Sequence, residues 1–405
     1  MRPMRTVFAL ALLTISGVAC GQARPTRVEA MQAPAPGTLR LAPDAESRWV
    51  PFELTPGNQI RFHLTLDGRT LAAVLDTGVS VTVLSRTSAA VDASRLQAGG
   101  LATAIGGTVP IAWMPTREIV LGALTRNGGA VAVTDLPARA TGSAAAVDVL
   151  VGRDLLEAHA LDIDYAGKRF RLLPSGRLPF TGSTAPLSVS PGRQVYESRI
   201  ALGGQPLAPI VVDTGDGSAV TVTQPGWTAA GLDRLPMTST IAYGLAGPLV
   251  STLAIVPVLK LGTLQARSVE VRIEPPGGFS QAIGAAGRIG SGFLQNYRVL
   301  LDPRAGRMVL SPLPTADQPP LRSTSGLLLG VERSRLKVLH VMANGPAAAA
   351  GWRPGDTICA IDGQAIPNDY PSSSLARWSV GEPGTVVRLR SCDGRERALT
   401  LRQFY

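Results

Sequence analysis

Two triplets carry the residues best suited to chemistry, Asp76-Thr77-Gly78 and Asp213-Thr214-Gly215. Each follows an apolar run, Ala72-Ala73-Val74-Leu75 in one case and Ala208-Pro209-Ile210-Val211-Val212 in the other. An aspartate at a strand end can give or take a proton once the fold removes it from water. The glycine permits a tight loop that brings backbone N–H groups to the carboxylate, and the β-branched threonine offers a hydroxyl to pin that loop. One such triplet arises easily by chance, but these two sit inside a repeat. Their offset is 137 residues (76 to 213); Leu150-Val151-Gly152 recurs as Arg288-Ile289-Gly290 at 138 (150 to 288), and Asp164 and Pro174 recur as Asp302 and Pro312 at 138 (164 to 302). The chain therefore reads as two homologous halves, residues 52–180 and 181–315.

Short strands must position these triplets. Residues 61–66 alternate, Asp67-Gly68 makes a turn, and residues 70–75 run straight into Asp76. In the second half, residues 194–202, Gly203-Gly204 and residues 208–212 repeat the plan. Residues 161–172 and 299–310 read as closing hairpins, with short helices beginning near Arg153 and Ser291. After the proline-rich break at 312–320 the pattern changes, so residues 316–405 form a third, unrelated unit. The 44 Gly and 32 Pro agree with frequent turns and a mainly β chain.

Composition narrows the function classes. The 45% hydrophobic and 17% charged residues exclude wholesale disorder. The net charge of +10 is spread along the chain as scattered arginines, with only Lys168, Lys260 and Lys337 as lysines and aromatics at 5%. A nucleic-acid partner is not expected from that pattern, which allows at most a modest attraction to anionic membrane surfaces. Three Cys and three His lie far apart, and no zinc spacing, HExxH or P-loop can be assembled, so no metal or cofactor is expected. No G-x-S-x-G is present; His63 reads as a rim residue, and Asp148 and Asp154 as turn and cap residues.

The start MRPMR followed by an apolar run over residues 7–18 reads as an export signal ending near residue 23. Gly17-Val18-Ala19-Cys20 resembles a bacterial lipobox, so either Cys20 is acylated or cleavage follows Ala19 or Ala23 without a lipid. Residues 24–51 read as a linker rich in Pro and Ala. An exported chain meets an oxidising periplasm or cell envelope, where Cys359 and Cys392 either pair or remain two buried thiols.

The doubled Asp-Thr-Gly pattern resembles the pepsin and retropepsin class of aspartic proteases, fused into one chain over residues 52–315. The stretch Val149-Leu150-Val151-Gly152-Arg153-Asp154-Leu155-Leu156 is similar to that family's buttressing segment, and Ala104-Ile105-Gly106-Gly107-Thr108-Val109 to its flap, with a second flap expected near Tyr243-Gly244. The resemblance implies two β lobes forming a pseudo-dimer, with Asp76 and Asp213 as a proton-sharing dyad that hydrolyses peptide bonds through an activated water and favours acidic conditions. Thr77 and Thr214 would bond across the lobe interface, Gly78 and Gly215 would shape the loops, and no second subunit would be needed. Lobe one offers Ser80 as a supporting hydroxyl; lobe two departs with Gly217 at the matching place, Ser218 one residue later, and a third acid, Asp216.

The last unit resembles a PDZ domain through AAAAGWRPGDTICAIDG, with Gly326-Leu327-Leu328-Leu329 where that family binds a terminal carboxylate and residues 372–380 as the groove helix. Trp352 reads as core packing. Peptide C-termini are the partners implied, against a PDZ-like spacer with a blocked groove. The competing reading of the whole is an envelope adaptor that binds peptides without cutting them.

Overall fold

The computed structural model describes residues 34–141 and 146–405. The export signal, Cys20 and the first part of the expected linker lie outside the described residues. The chain is mainly β. Its hairpins form for local reasons. Strand Ile60–Leu66 buries every second residue, and Asp67 and Gly68 both adopt positive φ (48° and 86°), the turn that matches strand twist. Strand Arg69–Leu75 then returns and delivers Asp76. The second half repeats this with Tyr196–Leu202, Gly203 and Gly204 at positive φ (56° and 84°), and Gln205–Asp213.

Pairing registers extend the correspondence. Arg69–Leu75 runs parallel to Val149–Val151, as Gln205–Asp213 does to Gly287–Gly290. Val83 pairs with both Leu150 and Ala132; Thr221 pairs with both Arg288 and Arg272. Short helices at Arg153–Leu156 and Ser291–Leu294 follow the two parallel strands. The expected closing hairpins form and join: His159–Asp164 pairs with Tyr297–Asp302 in a six-stranded sheet shared by both halves. One apolar core is continuous beneath these sheets.

The linker expectation is corrected from Thr38 onward. Thr38–Leu41 pairs with Leu124–Asn127 at the edge of the first sheet, and Val50–Pro51 with Arg169 and Phe170. Leu39 and Leu41 pack on the core. An edge strand this short draws its stability from a partner far along the chain, which the Pro- and Ala-rich flanks conceal. His63 is exposed, as a rim residue would be. Asp154 is not a helix cap: it accepts from Thr82 Oγ1 at 2.8 Å and pairs with buried Arg126 at 3.1 Å.

The third unit holds a six-stranded sheet with Leu327–Glu332 at one edge. Trp352 is in its core. Of the helix expected over 372–380, residues 374–380 form a 3₁₀ helix, preceded by a separate 3₁₀ turn at Tyr370–Ser372. Ser373 Oγ donates to the Tyr370 carbonyl at 2.8 Å, the kind of local bond by which serine competes with α-helical pairing. The unit packs against the hairpin Met237–Gly244 and Gly247–Leu261. There Leu253 meets Met342 and Tyr405, Thr238 Oγ1 donates to the Ala343 carbonyl at 2.6 Å, and Ser239 Oγ lies 2.8 Å from His340 Nε2. No helix among the described residues is long and apolar enough to cross a membrane.

Cys359 and Cys392 are joined, with Cα atoms 5.0 Å apart and a sequence separation of 33. Closing a loop of that size removes unfolded-state freedom worth about 4 kcal/mol. Cys392→Ser is therefore expected to destabilise the C-terminal unit by that amount, read as an earlier unfolding transition in denaturant for the variant than for the oxidised parent.

Candidate active site

The two Asp-Thr-Gly loops meet where the halves join. Their threonines are crossed and fully buried. Thr77 Oγ1 donates to the Val212 carbonyl at 2.6 Å and accepts from Thr214 N at 3.0 Å; Thr214 Oγ1 donates to the Leu75 carbonyl at 2.8 Å and accepts from Thr77 N at 3.1 Å. Two of the four bonds thus tie each loop to the strand that precedes the other, and two join the loops themselves. Each carboxylate accepts from the glycine of its own triplet, Asp76 Oδ1 from Gly78 N and Asp213 Oδ1 from Gly215 N, both at 3.0 Å. The same glycines cross over: a Cβ on Gly78 would collide with the Asp213 carboxyl, and one on Gly215 with that of Asp76. Only glycine lets both carboxyls stand side by side.

They open into a cavity of about 670 Å³, enough for several residues of an extended peptide. Two hairpins roof it. Gln97–Ala104 and Gly107–Pro115 turn at Ile105 and Gly106; Met237–Gly244 and Gly247–Leu261 turn at Leu245 and Ala246, close to the expected second flap. The tips touch, with Ala246 N donating to the Ile105 carbonyl at 3.2 Å.

Electrostatics then separate the carboxyls. Burial, with the charge of Asp213 next, raises the Asp76 carboxyl well above the ordinary carboxylate range, and a hydrogen bond to Asp213 adds to the rise. Burial and the charge of Asp216 raise Asp213 to about 6, against the pull of Arg288. Asp216 moves the other way: burial opposes its charge, but Arg288 and Arg272 hold it below its usual value. The third acid is therefore an ionised neighbour of the pair and does not face solvent.

Arg288 is the residue the sequence reading used only as a repeat landmark. Its Nε lies 3.0 Å from Asp216 and 3.7 Å from Asp213, while its Nη1 reaches Glu274 at 2.7 Å and Ser280 Oγ at 2.8 Å. An arginine in an otherwise apolar strand, where the first half has Leu150, was the available signal. Glu274 comes from another strand and gave none. Ser80 lines the cavity, and among the described residues its hydroxyl bonds neither carboxyl; Ser218 Oγ is 3.0 Å from Thr221 Oγ1 instead. Gly217 has its own reason. A Cβ there would strike the Gly57 carbonyl oxygen, and Asn58 Nδ2 donates to the Gly217 carbonyl at 3.0 Å.

The carboxylate-loop residues of the C-terminal unit lie elsewhere. The Gly326 and Leu327 N–H groups donate to Ser323 Oγ at 3.0 Å and Ser325 Oγ at 3.2 Å, and Leu328 and Leu329 are partly buried. Among the described residues, no group of three or more His, Cys, Asp or Glu side chains is placed to hold a metal.

The crossed threonines make a direct test of the interface. Thr77→Val keeps the shape but leaves the Val212 carbonyl and Thr214 N–H without partners in a dry place. The expected cost is about 2–4 kcal/mol by denaturant unfolding, with Thr77→Ser losing much less.

No protein-family model matches the chain, and no curated protein does.

Proposed function

We propose that the protein is an exported aspartic endopeptidase of the two-lobed pepsin and retropepsin type, with a PDZ-like unit at its C-terminus. The single observation that carries this reading is the pair of carboxyls, Asp76 and Asp213, held together by crossed threonines at the floor of a peptide-sized cavity. Two carboxyls in contact share one proton, so the pair owns its titration. Asp213 is the more acidic partner and takes the proton of a bound water. That water attacks the peptide carbonyl, and protonated Asp76 donates to the carbonyl oxygen. The two hairpins act as flaps that must part to admit a chain and close to exclude bulk water.

The C-terminal unit supports peptide recognition along a strand edge. Leu327–Glu332 lies at the edge of its sheet, where an extended chain can add. Two N–H groups of the adjoining loop are already taken by serine hydroxyls, which favours edge pairing over capture of a terminal carboxylate. Acylation of Cys20 would tether the enzyme to a membrane in the same reading.

The deciding experiment is digestion of a mixed peptide library by the mature chain, with cuts read by mass spectrometry. Asp76→Asn and Asp213→Asn are each expected to lower the rate by at least 10²–10⁴-fold. Undiminished cutting by either variant would remove the dyad assignment, and no cutting by the parent at any pH would leave the peptide-binding adaptor.

The pH profile gives a second test. Below about 6 Asp213 takes up a proton and the pair loses its base; above the raised value of Asp76 it loses its acid. Activity is expected to fall as pH drops through about 6, so the optimum lies nearer neutrality than the acidic expectation. Asp216→Asn removes a charge that raises Asp213, so the acid limb of kcat/KM should move to lower pH. An unmoved or raised limb would contradict the assignment of Asp213 as base.

A further inference from the structure

The broken symmetry of the cavity walls points to what the enzyme selects, an inference that rests on the peptidase reading. Strand register makes Leu150, Val83 and Ala132 in the first half the counterparts of Arg288, Thr221 and Arg272 in the second. All six line the cavity. In the first half these residues close into an apolar cluster with Val74 and Trp113. In the second half the same three places hold a hydroxyl and two guanidinium groups.

The two arginines are not in the same condition. Arg288 is spent on Asp216, Glu274 and Ser280. Arg272 is half-buried, and its Nε is shut off from solvent with no hydrogen-bond partner. Among the described residues no carboxylate lies within ion-pair distance of it. Asp216 and Glu274 bond Arg288 at 3.0 and 2.7 Å, so Asp216 acts on Arg272 only through space; Arg193 is bound to Glu197 at 2.6 Å, and Arg139, which also lines the cavity, lies over the Tyr243 ring. Glu270 shares the strand face of Arg272; burial raises its carboxyl, with the charge of Arg272 opposing the rise, and no ion pair joins the two. That Nε donor without an acceptor is costly, and the half-buried guanidinium lines the cavity, where the acceptor that matches its planar shape and charge is a carboxylate.

We infer that the second half of the cavity is an anion-selecting subsite in which Arg272 receives the side-chain carboxylate of an Asp or Glu in the substrate. The wall of Val83, Ala132 and Leu150 takes an apolar side chain on the other side of the scissile bond. The enzyme thus reads an apolar residue on one flank of the cut and an acidic residue on the other.

The test uses peptide pairs identical except for Glu or Gln at each position flanking the mapped cut. One position is expected to favour Glu in kcat/KM by roughly tenfold or more, the range of a hydrogen bond to a charged partner. Arg272→Gln should bring that ratio close to one, whereas Arg272→Lys, which keeps the charge, should retain part of it. Apolar preference on both flanks, or a Glu/Gln ratio unchanged in Arg272→Gln, would overturn the subsite. Fluorescence polarisation of the same labelled pairs on Asp76→Asn protein reads the preference without turnover. Tighter binding of the Glu peptide by a chain whose parent never cuts would overturn the peptidase reading and leave the subsite standing. Cutting without a Glu/Gln difference would do the reverse.

Discussion

Forcing two buried carboxyls together at the floor of a cavity is the constraint on which the rest of the molecule turns. In a low dielectric the pair cannot carry two negative charges, and even one is costly to bury. The opposing free energy comes from the crossed threonines, from backbone N–H groups aimed at each carboxylate, and from the apolar core continuous under both halves. Each loop is bonded to the strand preceding the other, so neither carboxyl can move without loosening its partner's support. Glycine at 78 and 215 follows from the same geometry, since each lies against the opposite carboxyl.

A symmetric scaffold has then been given asymmetric electrostatics. The first half keeps an apolar wall, while the second buries Asp216 and Glu274, each bonded to Arg288. Such a network is a poor source of net stability, because desolvation offsets most of its Coulombic gain, yet losing one member strands the rest at a cost of about 3–5 kcal/mol. Its effect on the chemistry is clearer. Asp216 and Arg288 act on Asp213 in opposite senses and have no charged counterparts beside Asp76 at the matching wall positions, where Leu150 replaces Arg288. The two carboxyls of a near-symmetric site therefore differ in acidity, the difference on which the proposed division into base and acid rests.

Much of this was legible in the sequence, and what was not has a common cause. The hairpins were visible because Asp67-Gly68 and Gly203-Gly204 sit between alternating strands, and the second hairpin tip fell close to Tyr243-Gly244. Cys359 and Cys392 were expected on neighbouring strands, but only the geometry decides between a disulfide and two thiols, and it joins them. The repeat offset located Asp76, Asp213 and Arg288 but did not reveal that Arg288 would reach Glu274, since that partner depends on the pairing of Thr221 with both strands. Thr38–Leu41 was missed for the same reason: an edge strand is made by its neighbour at Leu124–Asn127. Local chemistry shows in a sequence, whereas pairings set by distant strands do not.

The C-terminal unit constrains the second flap by its packing. Thr238 and Ser239 on the outer strand of that hairpin bond Ala343 and His340, and Leu253 on the inner strand meets Met342 and Tyr405. The first flap has no such attachment to this unit among the described contacts, so the two roofs of one cavity differ in freedom. Opening by the first hairpin breaks the tip contact between Ala246 and Ile105 and leaves the C-terminal packing intact. Opening by the second must either carry the C-terminal unit with it or break a buried apolar contact and several hydrogen bonds. The lower-cost way to uncover the cavity is therefore through the first hairpin. The edge strand Leu327–Glu332 pairs with Arg335–Val341, the strand that bonds Ser239, so the C-terminal sheet is joined directly to the stiffer hairpin.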